Sequence, residues 1–561
     1  MCASLTGIAI IIGRLFYLQV INAPAFIDRG QKNFTRLELV QSVRGPIVDC
    51  RGALLATNKP STDIYWQGSG GRNLTQGQIA ALDKLANILN CSYSRENIAY
   101  AERRYQHVLL ASDISLEQLC RVQELFADYP HIAVKTNYKR YYPYHHSAAH
   151  IVGYLGAWDS NYMGKMGLEK ICEPVLKGEQ GIVVQTINSV GKRLDAKESK
   201  QVMDGQTIQL TLDIELTKLA ESVFGAHYTG AFILLDPLTG AVKVLISRPT
   251  FDPSLFLGRI SSEVWQQMQE YKPLLNRALS ATYPLGSIFK LVTMSAALEQ
   301  GIVNQDTAWD CKGYVRFAGR NYRCNMRQGH GIVSLEQSLA LSCNTGFFHM
   351  ANYMPIDMIA DYAYRYGFGQ KTGTVLSEQQ GLVPNSAWKL RSKGERWWPG
   401  ETLSAVIGQG PLLVTPMQVA RMIGSIFTGN LVTPRLLENE PLVTTPLAIS
   451  QATREFLQRA MIKVVTEGTA RAIGALSFFE VYAKTSTAQT SALEKRHLGG
   501  KYLEHGWFAS YFKYKDNSPL VMVILVENAG SASIPTRLAR EFFIKYRSYM
   551  DNNTYKNSFM S

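Results

Sequence analysis

The sequence predicts an α+β fold: one antiparallel sheet with helices on its faces, after an N-terminal region of mixed helix and strand pattern and an N-terminal membrane anchor. Three observations carry this. From Thr229 onward, two strand patterns precede a mostly helical middle, three more strand patterns and a last helix. Only one stretch, residues 3–21, is strongly apolar, so a polytopic membrane protein is excluded. The 561 residues are 46% hydrophobic and 18% charged, ordinary for a folded chain long enough to bury its own core. Eight cysteines in that length exclude a cystine-dense scaffold.

Residues 3–21 read ASLTGIAIIIGRLFYLQVI. The charge-free part, Ala3 to Gly13, is short of the roughly 20 apolar residues a spanning helix needs. Extension to Ile21 supplies the length at the cost of Arg14 and Gln19, and Arg14 can snorkel. With no basic lead and no small-residue cleavage site, we read an uncleaved signal anchor whose start is clipped. Arg44 to Asn58, RGPIVDCRGALLATN, predicts an extended hairpin-like segment. IAALDKLANIL and LEQLCRVQELF, within residues 75–130, carry helical apolar spacing. Gly181 to Leu212 alternates as strands do, and TIQLTLDIELTKLAESVF runs on into a helix.

GAFILLDPLTGAVKVLIS (Gly230 to Ser247) reads as two strands joined at Asp236 to Gly240. Residues 276–430 are mostly helical in pattern. FFEVYAK, HGWFASYF and PLVMVILVENAG read as three strands, and Pro535 to Tyr549 as a final helix. The net charge of +13 has no zinc-finger spacing, aromatic RNA-binding pattern or long basic block beside it. No nucleic-acid partner is expected; the basic balance suits a dispersed solvated surface or a membrane-adjacent site.

The chemistry centres on Ser287-Ile-Phe-Lys290, after Tyr283-Pro-Leu-Gly286 and opening the helical run LVTMSAALE. The spacing places Ser287 and Lys290 on one face, one turn apart. A serine hydroxyl needs a base within reach, and a lysine whose pKa is lowered by burial can be that base. S-x-x-K occurs four times, at Ser189, Ser287, Ser386 and Ser510. Context singles out Ser287: Ser342-Cys343-Asn344 lies downstream in LALSCNTGFF, and Lys484-Thr485-Ser486-Thr487 follows a strand pattern. Serine–lysine, a polar triplet and a basic strand, in that order, form a specific set.

These motifs identify the chain as similar to class B penicillin-binding proteins, peptidoglycan D,D-transpeptidases, over nearly its whole length. NRALSATYPLGSIFK resembles their active-site helix, and ETLSAVIGQGPLLVTPMQVA (Glu401 to Ala420) the segment beneath it. RGPIVDCRGALLATN, KRYYPYHHSAAHIVGY and GKMGLEKICEPVLKGEQG resemble their N-terminal pedestal. With no glycosyltransferase domain ahead of the pedestal, the likeness is to class B and not to bifunctional class A. The resemblance implies an anchor at 1–21, a non-catalytic pedestal or dimerisation domain at 22–228, a penicillin-binding/β-lactamase-like transpeptidase domain at 229–550 and a tail at 551–561.

It further implies Ser287 as acyl-ester nucleophile, Lys290 as its proton acceptor, Ser342 as proton relay to the leaving group and Asn344 as holder of the substrate amide. Lys484 and Thr485 would bind the terminal carboxylate of a D-Ala-D-Ala stem, on a substrate-binding strand continued by Ser486 and Thr487. Backbone N–H groups of Ser287 and Thr487 would form the oxyanion hole, worth roughly 3–4 kcal/mol per donor. The family usually has glycine where Ser486 stands, which lets a ligand approach the strand closely. The serine is expected to tilt the strand or to alter the fit of substrate and β-lactam. A second departure, Leu285 where proline is common, carries no expected consequence.

Cys311, Cys324, His330 and Cys343 form C-x12-C-x5-H-x12-C, between and within the catalytic motifs. Three readings stand open: a closed tetrahedral zinc site, a Cys311–Cys324 disulfide in an oxidising periplasm, and unpaired buried cysteines. Some elongation-type (penicillin-binding protein 2) members resemble the set. His145, His146 and His150 are expected to pack or hydrogen-bond in the pedestal.

The resemblance implies cross-linking of peptidoglycan during elongation, inhibition by β-lactams, a single-pass inner-membrane anchor with the bulk in the periplasm, no cofactor for the chemistry, and a RodA-type glycosyltransferase of the elongation complex as partner. Alternatives are a division-specific septal transpeptidase, a catalytically impaired scaffold or β-lactam sensor, and a serine β-lactamase; the long pedestal argues against the last.

Overall fold

A computed structural model of the chain describes residues 2–158, 161–187, 193–258, 260–490 and 493–558. Two compact units emerge. The first comprises Met1–Pro46, Ala56–Tyr141 and Pro174–Thr207; the second comprises Ile47–Leu55, Tyr142–Glu173 and Ile208–Ser561. Residues 142–173, which sequence alone assigns to the pedestal, therefore cluster with the C-terminal unit.

In the first unit the long strand Leu54–Gln67 pairs antiparallel with Ile132–Tyr141, setting Ile64 opposite Val134, and with His107–Ala111. The expected helices are present as Gln76–Leu89 and Leu116–Phe126, each opened by a capping box, at Thr75/Gln78 and Ser115/Gln118. Their apolar faces bury Leu85, Leu89, Val122 and Phe126 around Ile64. A separate three-stranded sheet joins Thr35–Val40, Gly181–Ile187 and Arg193–Lys200. At the N-terminus, helix Cys2–Phe16 runs into a π-turn, Tyr17–Ile21, with Ile10, Ile11, Ile12 and Ile21 exposed. No helix among the described residues is long and apolar enough to cross a membrane.

The second unit is built on one antiparallel sheet. Its strands are β1 (Gly230–Leu235), β2 (Val242–Arg248), β3 (Phe479–Ala488), β4 (His505–Tyr514) and β5 (Leu520–Val526), in spatial order β2-β1-β5-β4-β3. The β1–β2 hairpin turns at Asp236, whose Oδ1 accepts the N–H groups of Leu238 and Thr239. Register pairs Ser486 of β3 with Trp507 of β4. β3 is an edge strand of this sheet, with no further strand paired to it among the described residues.

Both faces of this sheet are covered, which explains why β1 and β5 are unbroken apolar runs without polar alternation. On one face lie α1 (Ile214–Phe224), capped by Asp213, and a C-terminal helix, Ser533–Ser558. They bury Phe224, Phe232, Phe508, Phe512, Phe542 and Phe543 in one cluster. On the other face, Pro416–Thr428 is buried from Pro416 to Ile426 and packs on β5, β1 and β4. That all-round burial makes it a core helix.

The middle is less helical than its pattern suggests. It holds four short strands, with Ala308–Cys311 paired to Gly331–Ser334 and Tyr314–Phe317 paired to Arg320–Arg323. Four-residue strands as polar as RNYR carry no apolar signal, because little of them is buried. The histidines hydrogen-bond as expected: His150 and His145 reach Pro273 O (2.7 Å) and Asp252 Oδ2 (2.9 Å), and the His146 carbonyl accepts from Thr250 Oγ1; all three lie in the stretch that clusters with the second unit.

Candidate active site

Ser287 sits in a 3-10 turn, Gly286–Phe289, that feeds α2 (Lys290–Glu299). In a 3-10 turn residues three apart eclipse, so Ser287 and Lys290 share a face as the spacing implied. α2 is buried from Lys290 to Ala297, and Lys290 is fully inaccessible. Its ammonium donates to Ser342 O (2.7 Å) and Asn344 Oδ1 (2.7 Å), with Ser342 Oγ and Cys343 O at 3.3 Å. Ser287 Oγ is not among these partners. Burial lowers Lys290 to about 8, against weaker opposing effects of Cys343 and Cys324.

Ser342 follows α3 (Leu335–Ala340) and holds φ +54, the left-handed position usually given to glycine after a helix. Such a residue costs about 1–2 kcal/mol. Three lysine hydrogen bonds offset it: two from Lys290, and one from Lys484 Nζ to Ser342 Oγ at 3.2 Å. Asn344 opens α4 (Thr345–Ala351), accepts from Lys290 through Oδ1 and donates through Nδ2 to Arg323 O (3.1 Å). Lys484, on β3, is fully buried. Desolvation and then the neighbouring Lys290 push it well below the ordinary lysine range. Two lysines thus converge on one serine hydroxyl in a dry pocket, where both cannot comfortably stay charged.

Past Lys484, Thr485 and Ser486 are buried and Thr487 is exposed. Thr487 Oγ1 accepts the Ala532 N–H at 3.1 Å. The Thr485 hydroxyl is 2.5 Å from Thr469 Oγ1. Ser486 points inward beneath the nucleophile turn, 2% exposed, its Oγ donating to Leu285 O at 2.7 Å.

Of the other S-x-x-K matches, the two described ones lie elsewhere. Ser386 bonds Asp357, and Lys389 pairs with Glu401. Ser510 lies within β4, and Ser189 falls outside the described residues.

Thr469 was invisible in the sequence. It sits in the loop after α5 (Gln451–Thr466), and its N–H reaches Ala340 O at 3.3 Å while its hydroxyl meets Thr485. The one available signal was the neighbouring Gly468, where a Cβ would lie 2.3 Å from Ala340 O.

Cys311, Cys324, His330 and Cys343 come together, their ligand atoms all within 4.8 Å of one another. Cys324 Sγ stands 3.7 Å from Cys343 Sγ and 3.6 Å from His330 Nδ1, and Cys311 Sγ is 3.5 Å from the same nitrogen. The Cys311–Cys324 disulfide is not formed; both thiols are free, and Cys324 has Cys343 as its sulfur neighbour. Spacings of this size match the edges of a tetrahedron with metal bonds of about 2.0–2.3 Å. The Cys343 hydrogen bond and the N–H groups of Asn344 and Met326 hold Cys324 below the usual thiol range, while that pairing and burial raise Cys343. Three soft sulfurs and one imidazole, all buried or half-buried, fit zinc.

Fold and site together define an acyl-transfer domain of the penicillin-recognising class. Residues 230–543 match the penicillin-binding protein transpeptidase domain, and residues 39–210 the penicillin-binding protein dimerisation domain. The chain belongs to the penicillin-binding protein transpeptidase family. It is 30% identical to the peptidoglycan D,D-transpeptidase MrdA of Haemophilus influenzae, over 94% of this chain and 88% of that protein. To the Acinetobacter baumannii MrdA it is 29% identical, over 95% and 84%. Among solved structures, penicillin-binding protein 2 of Helicobacter pylori in complex with MreC superposes with a TM-score of 0.82 at 26% identity, covering 92% of this chain and 99% of that one. A chain from a peptidoglycan synthase complex that coordinates polymerization and crosslinking superposes at 0.74, with 29% identity and 97% of each chain covered.

Proposed function

We propose that this chain is a peptidoglycan D,D-transpeptidase of the elongation type, working through a serine acyl-enzyme. The observation that carries the reading is the convergence of Lys290 and Lys484 on Ser342 beside the Ser287 turn. In its neutral form Lys290 has a lone pair for the Ser287 proton and still two hydrogens for Ser342 O and Asn344 Oδ1. Ser287 Oγ attacks the penultimate D-Ala carbonyl, and the negative charge collects at the Ser287 and Thr487 N–H groups. Ser342, between the two lysines, passes a proton to the departing D-Ala amine. Asn344 orients the donor amide, and Lys484, Thr485 and Thr487 take the terminal carboxylate. An acceptor amine on a second stem then attacks the ester and frees Ser287.

Cys311, Cys324, His330 and Cys343 would hold a structural zinc; it would supply no reactive group, and through Cys343 it would hold the backbone between Ser342 and Asn344 in place. The exposed isoleucines of Cys2–Phe16 support an inner-membrane anchor, with a periplasmic catalytic unit and pedestal following it in the chain. The MreC complex and the synthase complex among its structural relatives support a place in the elongation machinery, beside a RodA-type glycosyltransferase.

Fluorescent penicillin tests the reading. The wild-type chain should label promptly and release slowly, and Ser287→Ala should not label while keeping its melting temperature. Labelling that survives in Ser287→Ala refutes the nucleophile, and fast release would mark a β-lactamase.

A further inference from the structure

The turn ahead of Ser287 is held residue by residue by its surroundings. Tyr283 exchanges both backbone hydrogen bonds with Val414, at 2.8 and 2.9 Å. The Pro284 carbonyl accepts the Trp507 indole N–H at 3.1 Å, and the Leu285 carbonyl accepts the Ser486 hydroxyl at 2.7 Å. Gly286 N–H donates to Gly408 O at 2.9 Å. Ser486 and Trp507 are cross-strand partners, so one rung of the sheet grips two consecutive carbonyls of the turn. The fit is close. Gly286 holds φ +60, and a Cβ there would stand 2.4 Å from Ser486 Oγ.

Ser486 is 2% exposed, so its hydroxyl reaches the Leu285 carbonyl away from bulk solvent. If that hydroxyl is removed, the Leu285 carbonyl is left without that partner inside the protein, at the peptide immediately before Gly286. On the strand side, Ser486 directly precedes Thr487. The hydroxyl therefore ties together two backbone segments that carry Ser287 and Thr487, the residues whose N–H groups make the oxyanion hole.

We propose that Ser486 is a positioning residue that pins the two halves of the oxyanion hole to each other through its hydrogen bond to the Leu285 carbonyl. The inference rests on the transpeptidase reading and adds a function for the one motif position that departs from the family's glycine. The Ser486 side chain leaves β3 toward the turn, on the opposite face of the strand from the exposed Thr487.

The test separates binding from acylation in the full-length protein. Stopped-flow labelling with a chromogenic cephalosporin gives the limiting acylation rate constant and the pre-acylation dissociation constant for wild type, Ser486→Ala and Ser486→Gly. Wild-type acylation checks the underlying reading independently. The proposal expects both variants to lose about tenfold in the limiting rate constant, with the dissociation constant within twofold. An unchanged rate constant in Ser486→Ala overturns it. So does an effect confined to the dissociation constant, which would make Ser486 a determinant of ligand fit. Ser486→Ala keeps the Cβ and the strand, so a loss of rate at unchanged melting temperature is a loss of positioning.

Discussion

Replacing Lys290 by arginine keeps the charge and removes the base. With Lys290 lowered to about 8, about a tenth of the molecules hold a neutral amine at pH 7. Arginine at that position stays protonated, so the neutral fraction falls by about five orders of magnitude or more. The base-assisted route is then closed, and what remains is whatever orientation and the oxyanion donors give. General-base catalysis typically supplies about 10²–10⁴-fold, so acylation of Lys290→Arg should fall by that amount. The same substitution disturbs geometry. Lys290 is fully buried, with two acceptors at 2.7 Å, and a forked guanidinium must fit where a single nitrogen stood. Acylation by a chromogenic cephalosporin, with circular dichroism and thermal melting alongside, separates lost base from lost fold. A folded Lys290→Arg that acylates within tenfold of wild type would refute the assignment and require another group to take the Ser287 proton.

Two further outcomes are expected. His150 is buried, donates to Pro273 O and packs edge-on against Phe251; burial, and then Arg277 and Arg248, bring it down to about 4. A group depressed in the folded state stabilises above its unfolded value near 6.5 and loses that stability as pH falls through 4. Denaturant titration at pH 7 and pH 4 should show roughly 3 kcal/mol of acid-linked loss that His150→Gln lacks; equal losses in both proteins would contradict it. Elemental analysis should find one zinc per chain, with Cys324→Ser abolishing it, lowering the melting temperature and slowing acylation because Cys343 adjoins both Ser342 and Asn344. Metal-free protein whose acylation ignores chelators would end that reading.

Sequence alone determined the elements whose signal is local. Continuous apolar runs such as Leu520–Val526 mark strands covered on both faces, and LEQLCRVQELF bears the spacing of a helix with one buried side. The order of Ser287, Ser342 and Lys484 along the chain was likewise readable, because motif chemistry is written in residue type and spacing. Tertiary structure decided what depends on contacts between distant residues. It turned the Ser486 hydroxyl toward Leu285, 201 residues away in sequence, and set Thr469 against Thr485. It kept Cys311 and Cys324 as free thiols gathered with His330 and Cys343. It also clustered residues 142–173, part of the stretch that matches the dimerisation domain, with the C-terminal unit. Side-chain direction on an edge strand, and which loop closes over it, follow from packing that no window of sequence contains.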